Sequence, residues 1–185
     1  MSGQSRHLTP EQHLETAIGA LSDGSEYRPL LDEISVPIYT TDAKGGVTYW
    51  NRASLDFAGR EPELGQDRWC VTWKIYTTTG EFVPHDECPM AQAIQQKRVI
   101  RDAVAIAERP DGTRVAFRPY PTPLFNPDGS LGCALGLLQS NAARGDAGLQ
   151  QWSLSDQQHR WLFSGERKPV EGNTADGCAG LPGID

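Results

Sequence analysis

The first apolar positions of the chain follow the period of an α-helix. Leucine, alanine and isoleucine recur at spacings of three and four residues, so they form one stripe on a helix face. Thr9 and Pro10 stand just before them and have the residue types that favour the N-cap and the first helical position. The pattern predicts an amphipathic helix over residues 9–22, with a stripe formed by Leu14, Ala17, Ile18 and Leu21.

From Val36 the period changes to that of β-strands. "VPIYTTD" and "GVTYWN" are typical of two strands, and "DAKGG" between them has the Asp and paired Gly that a tight hairpin needs. Asn51 is then placed to cap a helix, which Gly59 ends. Residues 66–84 follow neither period cleanly, so we expect irregular structure there with short ordered pieces.

The second half of the pattern predicts a helix over about residues 87–98 and then three long strands. The turn sequences "PDGT" and "NPDGS" join these strands, and short turns make neighbouring strands antiparallel. The predicted fold class is α+β, with a five-stranded antiparallel sheet, short helices across one face and the N-terminal amphipathic helix. Further along, residues 142–148 are typical of a linker, 153–165 of a short amphipathic helix and 166–185 of a disordered tail.

The order of these elements and the residues within them resemble a PAS domain. "ERPDGTRVAFRPYPTPLFNPDGSLGCALGLLQ" is similar to the second half of that domain, and "YTTDAKGGVTYWNRASLDFAGREPELGQD" to the first half. The resemblance implies an N-terminal helical extension over 1–29, a PAS domain over 30–140, and a linker, short helix and tail over 141–185. The residues that carry it in the first half are Asp42, Gly46, Tyr49, Asn51, Ala53, Gly59 and the "ELG" of 63–65.

This resemblance, which is to the PAS sensor domains of bacterial signalling histidine kinases, implies a sensory or regulatory module. In some members the helices and the sheet enclose a cofactor or a small molecule. In others the pocket is filled by side chains and the domain mediates dimerisation. We expect a single-PAS-domain bacterial protein that is not an enzyme, forms a homodimer and acts through a signalling partner such as a kinase or a regulator. The stripe of the N-terminal helix is the expected dimer surface, because it needs a cover.

Charge and composition exclude other classes. The formal net charge of -7 provides no broad basic field, so no nucleic-acid partner is expected. The longest strongly apolar run, "LGCALGLL", is far shorter than the roughly 20 residues that a membrane span needs. No apolar segment follows the first arginine, so we expect no secretory signal, a cytoplasmic location and four cysteine thiols. The cysteines contain no C-x-x-C pair, which argues against structural zinc.

The stretch "PHDECPMA", residues 84–91, allows two interpretations. In the first it begins a helix, with Asp86 or Cys88 as N-cap and Pro89 in the first turn. In the second, His85 and Cys88 are ligands or a redox site, with the thiol pKa of Cys88 lowered by the helix N-terminus and Met90 as a further haem ligand. The helix start explains these residues without a ligand, so a haem-binding or thiol-redox sensor is the alternative function.

Aromatic residues complete the candidate pocket. They either stack on a ligand or fill the core. Cys70 lies in "DRWCV", which departs from the "NCRFLQ" pattern of light-sensing PAS relatives, so a packing role is expected. The sequence has no catalytic motif of the G-x-S-x-G, H-E-x-x-H or phosphate-loop type, so we predict neither catalytic nor metal-binding residues. We expect no cofactor, with a small molecule or haem as alternatives. The pocket candidates are Trp50, Trp69, Trp73, His85, Cys88 and Met90.

Overall fold

A computed structural model of the protein describes residues 8–22 and 27–140. The predicted linker, short C-terminal helix and tail lie outside the described residues. No helix within the described ranges is both long enough and apolar enough to span a membrane. The elements, in chain order, are α1 (Pro10–Ser22), α2 (Tyr27–Asp32), β1 (Ile38–Asp42), β2 (Val47–Trp50), α3 (Arg52–Ala58), β3 (Lys74–Tyr76), β4 (Phe82–Val83), a 3₁₀ turn (His85–Glu87), α4 (Pro89–Gln96), β5 (Ala105–Glu108), β6 (Arg114–Phe125) and β7 (Leu131–Ser140).

The strands form one antiparallel sheet in the order β2-β1-β7-β6-β5-β3-β4. The α+β class is confirmed, but the sheet has seven strands rather than the predicted five. The two additional strands are β3 and β4, a hairpin from the segment expected to be irregular, and β3 extends the sheet by pairing with β5. Strands of two and three residues are too short to show an alternating pattern in the sequence.

Helices cover both faces of the sheet, whereas the sequence predicted short helices across one. On one face, which we call the inner face, α3 and α4 pack against Tyr39, Phe117 and Leu138. On the opposite, outer face, α1 and α2 pack against Leu135 and Leu137. Successive residues of a strand point to opposite faces, so β7 contributes alternately to the two cores.

Helix α1 begins where the sequence predicts, through a reciprocal cap. The Gln12 backbone N–H donates to Thr9 Oγ1 over 3.3 Å, and the Thr9 N–H donates to Gln12 Oε1 over 2.8 Å. Its apolar stripe is buried against the outer face of the chain's own sheet: Leu14, Ala17 and Leu21 are at most 4% exposed, and Ile18 packs against the same cluster. The reason for expecting this stripe as a dimer surface, its need for a cover, is therefore removed.

Asn51 joins α2, β1 and α3 through its side chain, which is fully buried. Its Oδ1 accepts from the backbone N–H of Ile38 at 2.9 Å and of Ser54 at 3.1 Å, so it caps α3 as predicted. Its Nδ2 donates towards three carbonyl oxygens 2.9–3.1 Å away, those of Leu31, Ile34 and Val36. One amide thereby holds the connection between the outer-face helices and the sheet.

Strand β6 carries prolines at alternate positions, 119, 121 and 123. Its ladder with β5 ends at Phe117, whereas its ladder with β7 continues to Phe125. Beyond Phe117, one edge of β6 therefore has no neighbouring strand among the described residues. The prolines lie in this part of the strand, and they have no N–H with which to bind a further strand. The guanidinium of Arg101 covers this edge and donates to the carbonyl oxygen of Pro121 over 3.1 Å.

Candidate functional site

The candidate site is the space between the inner face of the sheet and helices α3 and α4. The sheet contributes small side chains here, from β5 and β7, which leave room above the backbone. Larger side chains from β1, α3, β6 and α4 occupy that room. They are Tyr39, Phe57, Phe117 and Met90, each at most 4% exposed.

Gly136 shows how tightly this space is filled. A Cβ atom added to Gly136 would lie 2.4 Å from Cε1 of Tyr39 and 2.8 Å from the terminal methyl carbon of Met90. The tyrosine ring therefore lies directly on the glycine backbone, with the methionine beside it. Phe57 and Phe117 add an edge-to-face contact with ring centroids 5.3 Å apart. Side chains, rather than an open chamber, occupy the centre of the inner face.

The Tyr39 hydroxyl is the main polar group in this core. It donates to the carbonyl oxygen of Trp69 over 3.1 Å. Trp69 has a positive φ of 71°, which is rare for a bulky residue, and its indole lies on Gly45, where an added Cβ would be 2.2 Å from the ring. Burial raises the pKa of Tyr39 well above its ordinary value, and the neighbouring Cys70 and Cys88 raise it further. Tyr39 is therefore a neutral hydrogen-bond donor.

Cys70 and Cys88 lie in the same core and are both free thiols. Cys70 Sγ accepts a hydrogen bond from Thr72 Oγ1 over 3.2 Å. Burial raises the pKa of Cys88, whose side chain is 1% exposed, and the expected lowering by the helix N-terminus is wrong because desolvation outweighs it. The expectation of four thiols is also wrong, because Cys133 is disulfide-bonded.

The entry to α4 follows the structural interpretation of "PHDECPMA" in part. A 3₁₀ turn precedes the helix, Cys88 occupies the N-cap position and Pro89 begins the helix. Cys88 makes no capping hydrogen bond of ordinary geometry, although the nearby Met90 and Ala91 backbone N–H groups lower its pKa in part, and Asp86 is exposed within the 3₁₀ turn. The Cys88 side chain instead packs into the core, and so does Met90.

His85 lies at the border of this core and is half-buried. Its Nε2 atom is buried and makes no hydrogen bond of ordinary geometry. Burial is the main reason why the pKa of His85 is lowered, and the charge of Arg60 lowers it further. The nearby Thr72 backbone and the carboxylates of Asp67 and Asp86 raise the pKa and offset part of this effect. Cys88 is surrounded by Tyr39 and Cys70 in the interior, so the two candidate ligands have different surroundings. Within residues 8–22 and 27–140, no three His, Cys, Asp or Glu side chains form a group that could hold a metal ion.

The tryptophan candidates separate into two environments. Trp50 and Trp69 are partly buried and pack against the inner-face core that contains Cys88 and Met90. Trp73 is 47% exposed, and the Arg60 guanidinium lies 5.9 Å from its ring centroid on the surface. The structure therefore gathers four of the six pocket candidates around one core, with His85 at its border and Trp73 outside.

Two residues that define this core were missed as site residues, Tyr39 and Gly136. The alternation along "VPIYTTD" could have placed Tyr39 on the face opposite to Ile38. No local signal assigns Gly136, because its role depends on a contact with another strand. The resulting arrangement presents neutral groups packed against each other, which suits a structural core more than acid–base or metal chemistry.

Comparison with known protein families gives one match, which covers most of the described chain. A family model for the PAS fold matches residues 31–144. No curated protein matches significantly.

Comparison with solved structures gives many matches at low sequence identity. An RNA-binding light-oxygen-voltage receptor matches with a TM-score of 0.51 and 18% identity, over 82% of this chain and 39% of that chain. The PAS domain of the fruit-fly ELK potassium channel matches with a TM-score of 0.49 and 11% identity, over 61% and 92%. A light-oxygen-voltage protein of Rhodobacter sphaeroides matches with a TM-score of 0.47 and 12% identity, over 71% of each chain. The match to the RNA-binding light-oxygen-voltage receptor supports a fold that is shared with this chain.

Proposed function

Because the chain belongs to the PAS fold family, we propose that it is a non-enzymatic sensory or regulatory module of bacterial signal transduction that acts through contacts with other proteins. The observation that carries this proposal is the packing above Gly136, where Tyr39 and Met90 occupy the centre of the inner face. A PAS module with a filled interior exerts its effect through its surface and flanking segments. A homodimer and a signalling partner such as a kinase or a regulator, in the cytoplasm, are the expected context.

Native mass spectrometry and an absorption spectrum of the freshly purified full chain test the interior. We expect the mass of the bare chain, 20.3 kDa or twice that for a dimer, and no absorption band in the visible range. A bound mass that survives gentle ionisation and is lost on unfolding would instead show a ligand-binding sensor. In that case Tyr39 and Met90 would have to move away from Gly136, and the proposal of a filled interior would be abandoned.

Size-exclusion chromatography with light scattering tests the dimer separately. A homodimer gives twice the mass of one chain at micromolar concentration. Since α1 already covers its own sheet, substitutions in its buried stripe should lower stability before they change the mass. A monomer at all accessible concentrations would remove dimerisation from the proposal and leave the signalling partner as the only protein contact.

The alternative function, a haem or thiol sensor built on His85 and Cys88, is distinguished by labelling of the thiols. Because the thiolate is the reactive species and the pKa of the 1%-exposed Cys88 is raised, iodoacetamide should modify Cys88 in native protein far more slowly than in urea. Peptide mapping by mass spectrometry measures each cysteine. Rapid labelling of Cys88 in native protein would favour the redox sensor.

A further inference from the structure

Helices α1 and α2 form an open groove on the side of the molecule away from the inner-face core. The α1–α2 groove has a volume of about 730 Å³. Two of its leucines are poorly covered, since Leu8 is 47% and Leu30 is 50% exposed. Gly19, which also lines the groove, is exposed, and a Cβ added to it would meet no atom within 4 Å apart from the neighbouring backbone of its own helix. The lining of the groove includes Leu8, Gly19, Ala20, Leu30, Glu33 and Ile34.

The last described strand leaves the sheet beside this groove. Leu137 of β7 pairs with Ile38 of β1, and the Leu138 backbone N–H donates to the carbonyl oxygen of Pro37 over 2.9 Å. The chain just before Pro37 contains Ile34, which lines the groove. Ser140 therefore ends β7 at the same end of the sheet as the groove wall, and the chain continues from there to residue 185.

The segment that follows has the chemistry to fill an apolar groove. Residues 152–163, "WSLSDQQHRWLF", contain apolar side chains at Leu154, Trp161 and Leu162, the i, i+7 and i+8 spacing of one helix face. Residues 141–151 connect Ser140 to this segment and can reach about 35 Å when extended, whereas the thirteen-residue helix α1 is only about 20 Å long. Arg160, next to Trp161, is opposite in charge to Glu33 on the groove wall.

We propose that the α1–α2 groove is the docking site of residues 152–163 of the same chain, which bind as an amphipathic helix with Trp161 and Leu162 against Leu30 and Ile34. This inference goes beyond the proposed function, because it concerns a contact within one chain and holds whether or not a ligand or a partner protein binds. It fits the helix-in-groove mode of recognition, in which apolar anchors from successive turns enter a hydrophobic groove.

The open shape of the groove favours this occupant over a small molecule. Small-molecule sites bury most of the ligand surface, whereas this groove is bordered by exposed positions on both helices. A tethered segment also has a high effective concentration at a nearby site, so docking within one chain is favoured over docking of the same segment from a second copy. Residues 1–7 and a second copy are the competing occupants.

Hydrogen exchange with mass spectrometry on the full chain tests the proposal. Amides of residues 156–163 should exchange about tenfold or more slowly than expected for an unstructured peptide. Leu30→Glu should remove this protection, because it places a charge in the groove beside Glu33. Leu64→Glu is the matched control, since Leu64 is similarly exposed at 44% but lies outside the groove lining, and it should leave the protection unchanged.

A substitution in the docking segment, rather than in the groove, tests the same contact even if the groove variant misfolds. Trp161→Ser should accelerate exchange in residues 16–20 and 30–34, whereas Trp73→Ser, at an exposed surface tryptophan, should not. Exchange of residues 156–163 at the rate of an unstructured peptide would overturn the proposal. Protection of residues 1–7 that is lost in Leu30→Glu would also overturn it, because the amino-terminal residues would then be the occupant. Protection of residues 156–163 that disappears on dilution would overturn it as well, because the occupant would then come from a second copy of the chain.

Discussion

At the scale of single residues, the structure depends on a few buried polar groups whose partners come from several elements. Asn51 is the clearest case, because its amide bonds to backbone groups before β1, within β1 and at the start of α3. His85 is the opposite case, because its buried Nε2 makes no hydrogen bond of ordinary geometry. Asn51 should therefore contribute strongly to the stability of the fold, and His85 should make that stability depend on pH.

Replacement of Asn51 by alanine should lower the free energy of unfolding by about 2–4 kcal/mol, through the lost helix cap and the unpaired buried carbonyl groups. Urea denaturation followed by circular dichroism measures this change. Asn126→Ala is the control: its amide bonds to Ser130 Oγ at an exposed turn, so the loss should be less than about 1 kcal/mol. An equal effect of the two substitutions would contradict the role given to Asn51.

The lowered pKa of His85 gives a pH dependence of defined sign. In the unfolded chain the imidazole has its ordinary pKa of 6.5, whereas burial lowers the pKa in the folded protein. Below about pH 7 the unfolded state therefore binds more protons than the folded state, and stability should fall as the pH decreases through 6.5 towards the folded-state pKa.

Urea denaturation at pH 7.5 and 5.5 measures this fall, and His85→Gln should make it smaller. His13, whose pKa is also lowered by burial, contributes in the same direction, so His13→Gln is a second variant with an independent effect. An unchanged fall in His85→Gln would mean that His85 is not the residue that couples proton binding to unfolding.

At the scale of elements, α1 behaves as part of the folded domain. Its stripe packs on the outer face of the sheet, and Leu21 is 1% exposed there. Leu21→Ala should therefore lower the free energy of unfolding by about 2–5 kcal/mol, the usual cost of a large-to-small change in a core. Leu64→Ala, at an exposed leucine, should change it by no more than about 0.5 kcal/mol.

Denaturation of both variants, combined with light scattering, separates the two roles considered for α1. A core role predicts a loss of stability with an unchanged mass. Dissociation of a dimer by Leu21→Ala, without a loss of stability within the chain, would return this helix to the predicted role of dimer surface.

The contact between Gly136 of β7 and Tyr39 of the neighbouring strand β1 leads to a further prediction. Gly136→Ala should lower the free energy of unfolding by about 1–3 kcal/mol, because the new methyl group would overlap the Tyr39 ring. Gly19→Ala tests the reverse situation: α1 is helical there and no described atom other than the neighbouring backbone of its own helix is nearby, so it should raise stability by about 0.5–1 kcal/mol. Denaturation curves measure both, and a neutral Gly136→Ala would show that the interior can open.

At the scale of the whole molecule, the sequence predicted those features of the fold that depend on neighbouring residues in the chain. Asn51 as a cap, the Asp-Gly turns and the alternation of the main strands are local signals, and they led to the correct fold class. The β3–β4 hairpin was not predictable, because strands this short depend on pairing with β5. An apolar stripe on α1 indicates that something covers it, but only the three-dimensional arrangement identifies the cover.

The candidate site was predictable to a smaller extent. The sequence predicted Trp69, Cys88 and Met90 as pocket candidates from their position in the chain, and in the structure they pack in or against one core. The chemistry of Cys88 was predicted with the wrong sign, because proximity to a helix N-terminus is visible in the sequence and the degree of burial is not. Trp73 was misplaced for a related reason, since the sequence does not distinguish an aromatic that fills a core from one that lies under an arginine at the surface.

The prolines of β6 also affect how the newly synthesised, unfolded chain interacts with other chains. Strand β6 is the longest of the sheet, and an exposed strand of this length in a newly made chain is a template for aggregation with other chains. Prolines at 119, 121 and 123 interrupt every ladder that would form along one of its edges. Until Arg101 covers that edge, the proline pattern itself limits misassembly, and replacing these residues should increase losses to inclusion bodies during expression.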